Sequence, residues 1–215
     1  MITELVYGFD IETDTTTDGL DPNVSSVVAA AVVSARERLV FVGDEATLLR
    51  DLDAALAEMA PGVLVTWNGL RFDLPFIALR ARMRRLDLGL RLDPEPLEWR
   101  RDDEARGSAA PRTSRRVRWG PPSPAASWGA HRHLDAYRLY RGDVGQTLGL
   151  SCALKPLSRF LGYKPVEVDR SRIDLLTPTE LDAYVSSDAE LARELALRRP
   201  AALAGWCQRN TKIEW

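Results

Sequence analysis

With 215 residues, 45% of them hydrophobic and 28% charged, the chain has the composition of an ordinary globular domain and is unlike a chain disordered throughout. A net charge of −2 argues against electrostatic coating of nucleic acid, and the two distant cysteines, Cys152 and Cys207, exclude a disulfide framework or a thiolate zinc site. The longest strictly apolar run, residues 27–33, is far short of the ~20 residues that span a bilayer, and the N-terminus lacks a basic and apolar leader, so a cytoplasmic protein without membrane contact is expected.

In chain order, apolar and β-branched runs predict strands near residues 5–12, 26–34 and 39–42, joined by short polar connections as an antiparallel meander. Leu48, Leu49, Leu52, Ala55, Leu56 and Met59 recur at helical spacing until Pro61-Gly62. Residues 63–67 read as a buried central strand, and 73–85 as a second amphipathic helix. From residue 93 to 129 periodicity stops. Prolines at 94, 96, 111, 121, 122 and 124 accompany seven arginines (100, 101, 106, 112, 115, 116, 118), which between residues 100 and 118 are set against three acids, a basic patch on an acidic body. The chain is therefore expected to be a single domain over 1–215 with an irregular Arg/Pro-rich insertion at about 93–130. Residues 133–137 predict a short strand, 152–161 a helix closed by Gly162, and Thr177-Pro178-Thr179-Glu180 a capping box opening a long helix towards Pro200. Meander strands followed by alternating helices and strands predict an α/β mixed sheet with helices on its faces.

The first strand contains Phe9-Asp10-Ile11-Glu12-Thr13, and alternation puts Asp10 and Glu12 on one face where burial should begin. Like charges there repel unless the face is solvated or a cation sits between them. Asp73 follows a buried strand at the mouth of a helix, where it also suits an N-cap, and Tyr184 and Asp188 share a helical face four residues apart. If the first strand is central and the capped helix crosses its end, Asp10, Glu12, Asp73 and Asp188 converge. Such a cluster calls for divalent cations. Oxygen donors suit Mg²⁺ or Mn²⁺, and two such ions suit phosphoryl hydrolysis. Asp14 to Gly19 superficially matches a calcium loop but has Thr16 and Ser25 at two ligand positions, and reads as a turn; His131 and His133 are too few for a histidine metal site.

Three motifs in order, Phe9-Asp10-Ile11-Glu12-Thr13, Asn68-x-x-x-Phe72-Asp73 and Tyr184-x-x-x-Asp188, resemble the DEDD superfamily of 3′-to-5′ exonucleases in its tyrosine subgroup, most of all the proofreading domain of family B DNA polymerases. The resemblance implies a ribonuclease H-like fold and two divalent ions. In it Asp10, Glu12 and Asp188 bind the ion that activates water, Asp10 bridges to a second, and Asp73 supports that second ion. Tyr184 positions the water, since a phenol with a pKa of ~10 is a poor base. Ala183 stands where the histidine subgroup would differ. Asn68 and Phe72 are expected to contact the terminal nucleotide, and Asp135, in His133-x-Asp135, to be a supporting acid near the substrate. The implied substrate is the 3′ end of a single strand, with DNA expected ahead of RNA; an exoribonuclease or an inactive nucleic-acid-binding module of the same fold are the alternatives. No polymerase segment lies within these residues, so proofreading would need a polymerase or repair partner.

Overall fold

The computed structural model describes residues 2–92 and 126–210, with backbone alone at residues 2, 3, 143 and 208–210. The arginine cluster, the six prolines and Trp215 lie outside the described residues. Seven strands form one sheet in the order β3-β2-β1-β4-β7-β6-β5. The strands are β1 (Val6–Thr13), β2 (Val27–Val33), β3 (Arg38–Val42), β4 (Val63–Thr66), β5 (Leu90–Leu92), β6 (Ala126–Trp128) and β7 (His131–Asp135). The meander is antiparallel as expected, with β1 against β2 and β2 against β3. Strands β1, β4 and β7 run parallel, and β6 and β5 return antiparallel on the far edge. Residues 126–128, at the end of the span expected to be irregular, form β6: Ala126 and Trp128 are buried, and Gly129, at φ 54°, turns β6 into β7.

The helices are α1 (Glu45–Glu58), α2 (Asp73–Arg84), α3 (Tyr137–Tyr140), α4 (Leu154–Phe160), α5 (Pro178–Leu197) and α6 (Pro200–Asn210). Tyr7, Phe9 and Ile11 of β1 point to one face and pack on the leucines of α1 and on Leu74, Phe76 and Ile77 of α2. This side is tied together by buried Glu45, which accepts hydrogen bonds from Val27 N (2.9 Å), from Arg80 Nε (2.7 Å) and Nη2 (2.6 Å), and from Arg84 Nε (2.7 Å). A buried carboxylate satisfied this fully tolerates its desolvation. Among the described residues no helix is long and apolar enough to cross a membrane.

The opposite face is covered by α5 and α6, where Val6, Val63, Val65 and Leu134 meet Ala192, Ala196, Leu203 and Trp206. The capping box is formed: Thr177 Oγ1 accepts from Glu180 N, and the Glu180 carboxylate accepts from Thr177 N. Helix α5 lies unusually close to the sheet. A Cβ on Gly8 would stand 2.0 Å from the Ala189 carbonyl oxygen, so only glycine fits beneath the helix. The cross-strand partners of Asp10 and Glu12 are Ala31 and Ala29, small residues packed against Val185 and Ala189 of α5. Gly8→Val should therefore lower the melting temperature by about 2–12 °C or more, because the obstructing atom is backbone and overpacking of this kind costs about 1–3 kcal/mol or more. An unchanged thermal melt of that variant would mean that α5 does not rest on β1 as described.

Candidate active site

The C-terminal ends of the parallel strands β1 and β4 open beneath the middle of α5, the place where open α/β sheets gather functional loops. Asp10 and Glu12 project from β1 on the α5 side and are half-buried, and Asp188 descends from α5 to meet them. One carboxylate oxygen from each of the three lies within 4.8 Å of the others. Asp73 is buried as the first residue of α2; the cap is Phe72, which makes no side-chain capping bond, so the N-cap role read for Asp73 is not the one it takes. Asp73 is outside the group of three oxygens, yet its charge acts on Asp10.

Burial and mutual repulsion push these acids upward. Asp10 is raised well above the usual carboxylate range by burial and then by the charges of Asp73, Asp188 and Glu12. Glu12 is pushed up to about 8 by burial and by Asp188. Burial lifts Asp73 to about 7, against the pull of backbone amides of Asp73 and Ile11. Burial likewise lifts Asp188 to about 6, although Lys155 and Arg170 draw it down. Tyr184 is buried one helical turn before Asp188, and burial with the nearby acids drives its phenol well above its ordinary value. The Tyr184 hydroxyl is neutral across the physiological range.

Two cations that the sequence reading missed complete the site. Lys155 Nζ donates to the Val166 carbonyl at 2.7 Å, lies 3.8 Å from the centroid of the Tyr184 ring and stands 3.4 Å from Asp188 Oδ1. Arg170 Nε donates to the Tyr184 hydroxyl at 2.9 Å, with Nη2 3.6 Å from Asp188 Oδ2. Lys155 sits in an otherwise amphipathic helix, and Arg170 in a charged connection, so neither carried a signal of periodicity or motif. Asp188 Oδ1 is buried and receives no hydrogen bond of good geometry; Lys155 Nζ stands 3.4 Å from it. That orphaned oxygen, beside two further carboxylates, fits a hard divalent cation bound by Asp10, Glu12 and Asp188.

The second motif is held by strand β7. Asn68 adopts a left-handed backbone at φ 66°, and its N–H donates to Asp135 Oδ1 at 2.8 Å; the same oxygen accepts from Tyr137 N at 3.2 Å. Asp135 pairs in register with Thr66, whose hydroxyl bonds the His133 ring at 2.8 Å and accepts from Gly69 N at 3.2 Å. Asp135 therefore anchors the loop from Asn68 to Phe72. The ring of half-buried Phe72 packs on Phe76 at 5.5 Å.

A sequence profile of the family described as "DNA polymerase family B, exonuclease domain" matches residues 11–101, a span that includes Glu12, Asn68, Phe72 and Asp73 and ends before Tyr184 and Asp188. The chain is 39% identical over 62 residues to DNA polymerase II of Escherichia coli, which covers 29% of this chain and 8% of that protein. It is 29% identical over 160 residues to a catalytic subunit of DNA polymerase epsilon from Arabidopsis thaliana, covering 71% and 6%. It superposes on a family B DNA polymerase of the archaeon Pyrobaculum calidifontis with a TM-score of 0.63 at 21% identity, over 91% of this chain and 24% of that one. The fold is ribonuclease H-like. In sequence the chain is similar, over residues 11–101, to the exonuclease domain of family B polymerases, and it spans less than a tenth of either curated relative.

The acid cluster has a consequence for stability. A carboxylate raised in the folded state contributes stability below its unfolded pKa and loses it as pH rises through the folded value. For Asp188, Asp73 and Glu12 those folded values are about 6, 7 and 8, so the loss continues above pH 8. The buried histidines act in the opposite sense. Burial lowers His131, and lowers His133 to about 3, so their contribution is complete above the unfolded value near 6.5 and fades as pH falls. Between about pH 8.5 and 6.5 the histidines do not oppose the acids, and the lowered Lys155 is a described group that does. In chelator, the melting temperature should rise on acidification through that window, and saturating Mn²⁺ should flatten the rise. A flat or falling curve in chelator would show that the carboxylates do not repel as placed.

Proposed function

We propose that the chain is a metal-dependent 3′-to-5′ exonuclease of the tyrosine-containing DEDD type, hydrolysing the terminal phosphodiester of single-stranded nucleic acid, with DNA as the preferred substrate. The observation that carries this reading is the meeting of Asp10, Glu12 and Asp188 within 4.8 Å, with Tyr184 one turn away on the same helix. Kinship with the exonuclease domain of family B polymerases supports the polarity and the substrate class. Asp10, Glu12 and Asp188 would hold one ion, and Asp73, with Asp10, would support a second. Two bound Mg²⁺ or Mn²⁺ ions would supply a water nucleophile of lowered pKa and compensation for charge on the leaving oxygen.

The protein groups then have separable tasks. Tyr184, neutral at working pH, orients the attacking water through its hydroxyl and takes no proton from it. Asn68 and Phe72 receive the terminal nucleotide, Phe72 by stacking on its base. Lys155, buried against Tyr184 and Asp188, fixes the Asp188 carboxylate and the phenol ring relative to each other. A cytoplasmic polymerase or repair assembly is the setting that would present a strand end to this domain.

The test uses 5′-labelled DNA and RNA oligonucleotides, each with a free or blocked 3′ end, in Mg²⁺, Mn²⁺ or chelator. A ladder shortening from the 3′ end is expected with metal and a free end. Asp10→Ala and Asp188→Ala should each reduce cleavage by at least about a hundredfold, with the fold retained by circular dichroism. Cleavage that persists in chelator or ignores the block would overturn the proposal, and RNA degraded faster than DNA would reassign the substrate.

A further inference from the structure

Lys155 and Arg170 both touch Tyr184 and Asp188, but they are held very differently. The Lys155 side chain is 6% exposed and is fastened to the Val166 carbonyl. The Arg170 side chain is 66% exposed, although the two groups it contacts are buried. Its single hydrogen bond of good geometry goes to the Tyr184 hydroxyl, and its 3.6 Å approach to Asp188 is too long for a second. A guanidinium carries five N–H donors in a planar fork that matches the oxygens of a phosphate. Most of that donor capacity is unspent on Tyr184 and Asp188, at the mouth of the site.

The backbone beneath Arg170 is fixed while the side chain is not. Residues Arg170–Leu175 form a 3-10 turn capped by Asp169, which accepts from Ser171 N at 3.0 Å. Ile173 is buried, its N–H donates to Thr15 Oγ1 at 3.0 Å, and that hydroxyl donates to Asp174 Oδ1 at 3.1 Å. Thr15 lies just beyond β1, so the turn is stapled to the chain that follows Glu12. Arg172, at φ −136° and ψ 38°, breaks the helix between Arg170 and the staple. The Arg170 side chain is thereby delivered to the rim of the acid cluster by an anchored base.

We propose that Arg170 is the phosphate-binding residue of this site, exchanging its contacts with Tyr184 and Asp188 for a phosphodiester of the substrate strand. The exchange follows from charge. A divalent ion held by Asp188 would repel the guanidinium 3.6 Å away, and a strand phosphate entering beside it would offer that guanidinium an anion in exchange. Departure of Arg170 also uncovers the Tyr184 hydroxyl, leaving it free to hold water. Entry of ions and of strand is thus coupled through one side chain. The strand-binding half of this inference rests on the exonuclease reading; the competition with divalent ions does not.

Three forms of the 215-residue chain test it: wild type, Arg170→Gln and Arg170→Lys, each checked by thermal melting. Calorimetric titration with Mn²⁺ in the absence of nucleic acid should show Arg170→Gln binding about three- to tenfold more tightly than wild type, because a competing cation is gone. Anisotropy of a labelled single-stranded DNA with a phosphorothioate 3′ linkage should show the same variant binding more weakly. Its plot of log affinity against log salt should be shallower by about 0.7, the loss of one phosphate contact on a single strand. Arg170→Lys should restore most of the salt slope. Weaker Mn²⁺ binding by Arg170→Gln, or an unaltered salt slope, overturns the assignment. An unaltered slope alongside wild-type cleavage overturns Arg170 alone, whereas a wild type that neither binds nor cleaves a strand overturns the exonuclease reading with it.

Discussion

The Ala189 carbonyl occupies the space where any side chain at position 8 would stand, so α5 meets β1 at backbone contact. The acids depend on that distance. Asp10 and Glu12 reach upward from β1, and Asp188 reaches down from the helix only one residue before the point of contact. Ala29 and Ala31 extend the same thin layer over β2, and a larger side chain at either would lift the helix at the level of the carboxylates. Sequence patterning usually places large apolar residues between a helix and a sheet. Here small ones stand in that layer because the distance between charges, rather than buried area, sets the spacing.

Bringing acids together works against folding, and the structure offsets the cost in two ways. Lys155 and Arg170 draw the Asp188 carboxylate down from where burial would leave it. The rest of the sheet is stabilised independently: the apolar layer under α1 and α2 and the fully satisfied Glu45 cluster lie on the face away from the acids. A fold arranged in this way can keep a strained, repulsive site, because the stability of its body does not depend on relaxation of that site. The two cations differ in permanence. Lys155 is built into the core and belongs to the architecture, while Arg170 hangs from a stapled turn and is placed to move.

Much of this was legible in the residues. Apolar, β-branched runs located β1 to β3, the capping box opened α5 at Pro178, and the first and third motifs hold the three acids that meet, while Asp73 of the second stands outside that group. The failures have physical causes. Strands β5 and β6 have three residues each, too short for a period to register, and they border a segment whose prolines and arginines mask any pattern. The helix expected over 152–161 forms only at Leu154–Phe160, and the strand expected over 133–137 lies at His131–Asp135, because residues at an element's end share the composition of the element. Lys155 and Arg170 were invisible for a different reason. A lysine in a helix and an arginine in a connection are ordinary surface residues until folding sets them against Tyr184.

Asp135 shows how a carboxylate's task is decided by what it accepts. The same fold places Asp135 and Asp73 near the ends of neighbouring elements, and both are buried. Asp135 gives one oxygen to the backbone N–H groups of Asn68 and Tyr137, so it is committed to the chain. Those bonds stabilise the left-handed conformation of Asn68, which asparagine tolerates better than most residues, and the loop leads from there to the first turn of α2. Asp73 stands in that first turn, where the helix N-terminus favours negative charge. The position of one acid therefore depends on the hydrogen bonds of another. Replacing Asp135 would act on the loop from Asn68 to Phe72 through the Asn68 backbone, which separates a positioning carboxylate from a ligand more clearly than its place in a motif can.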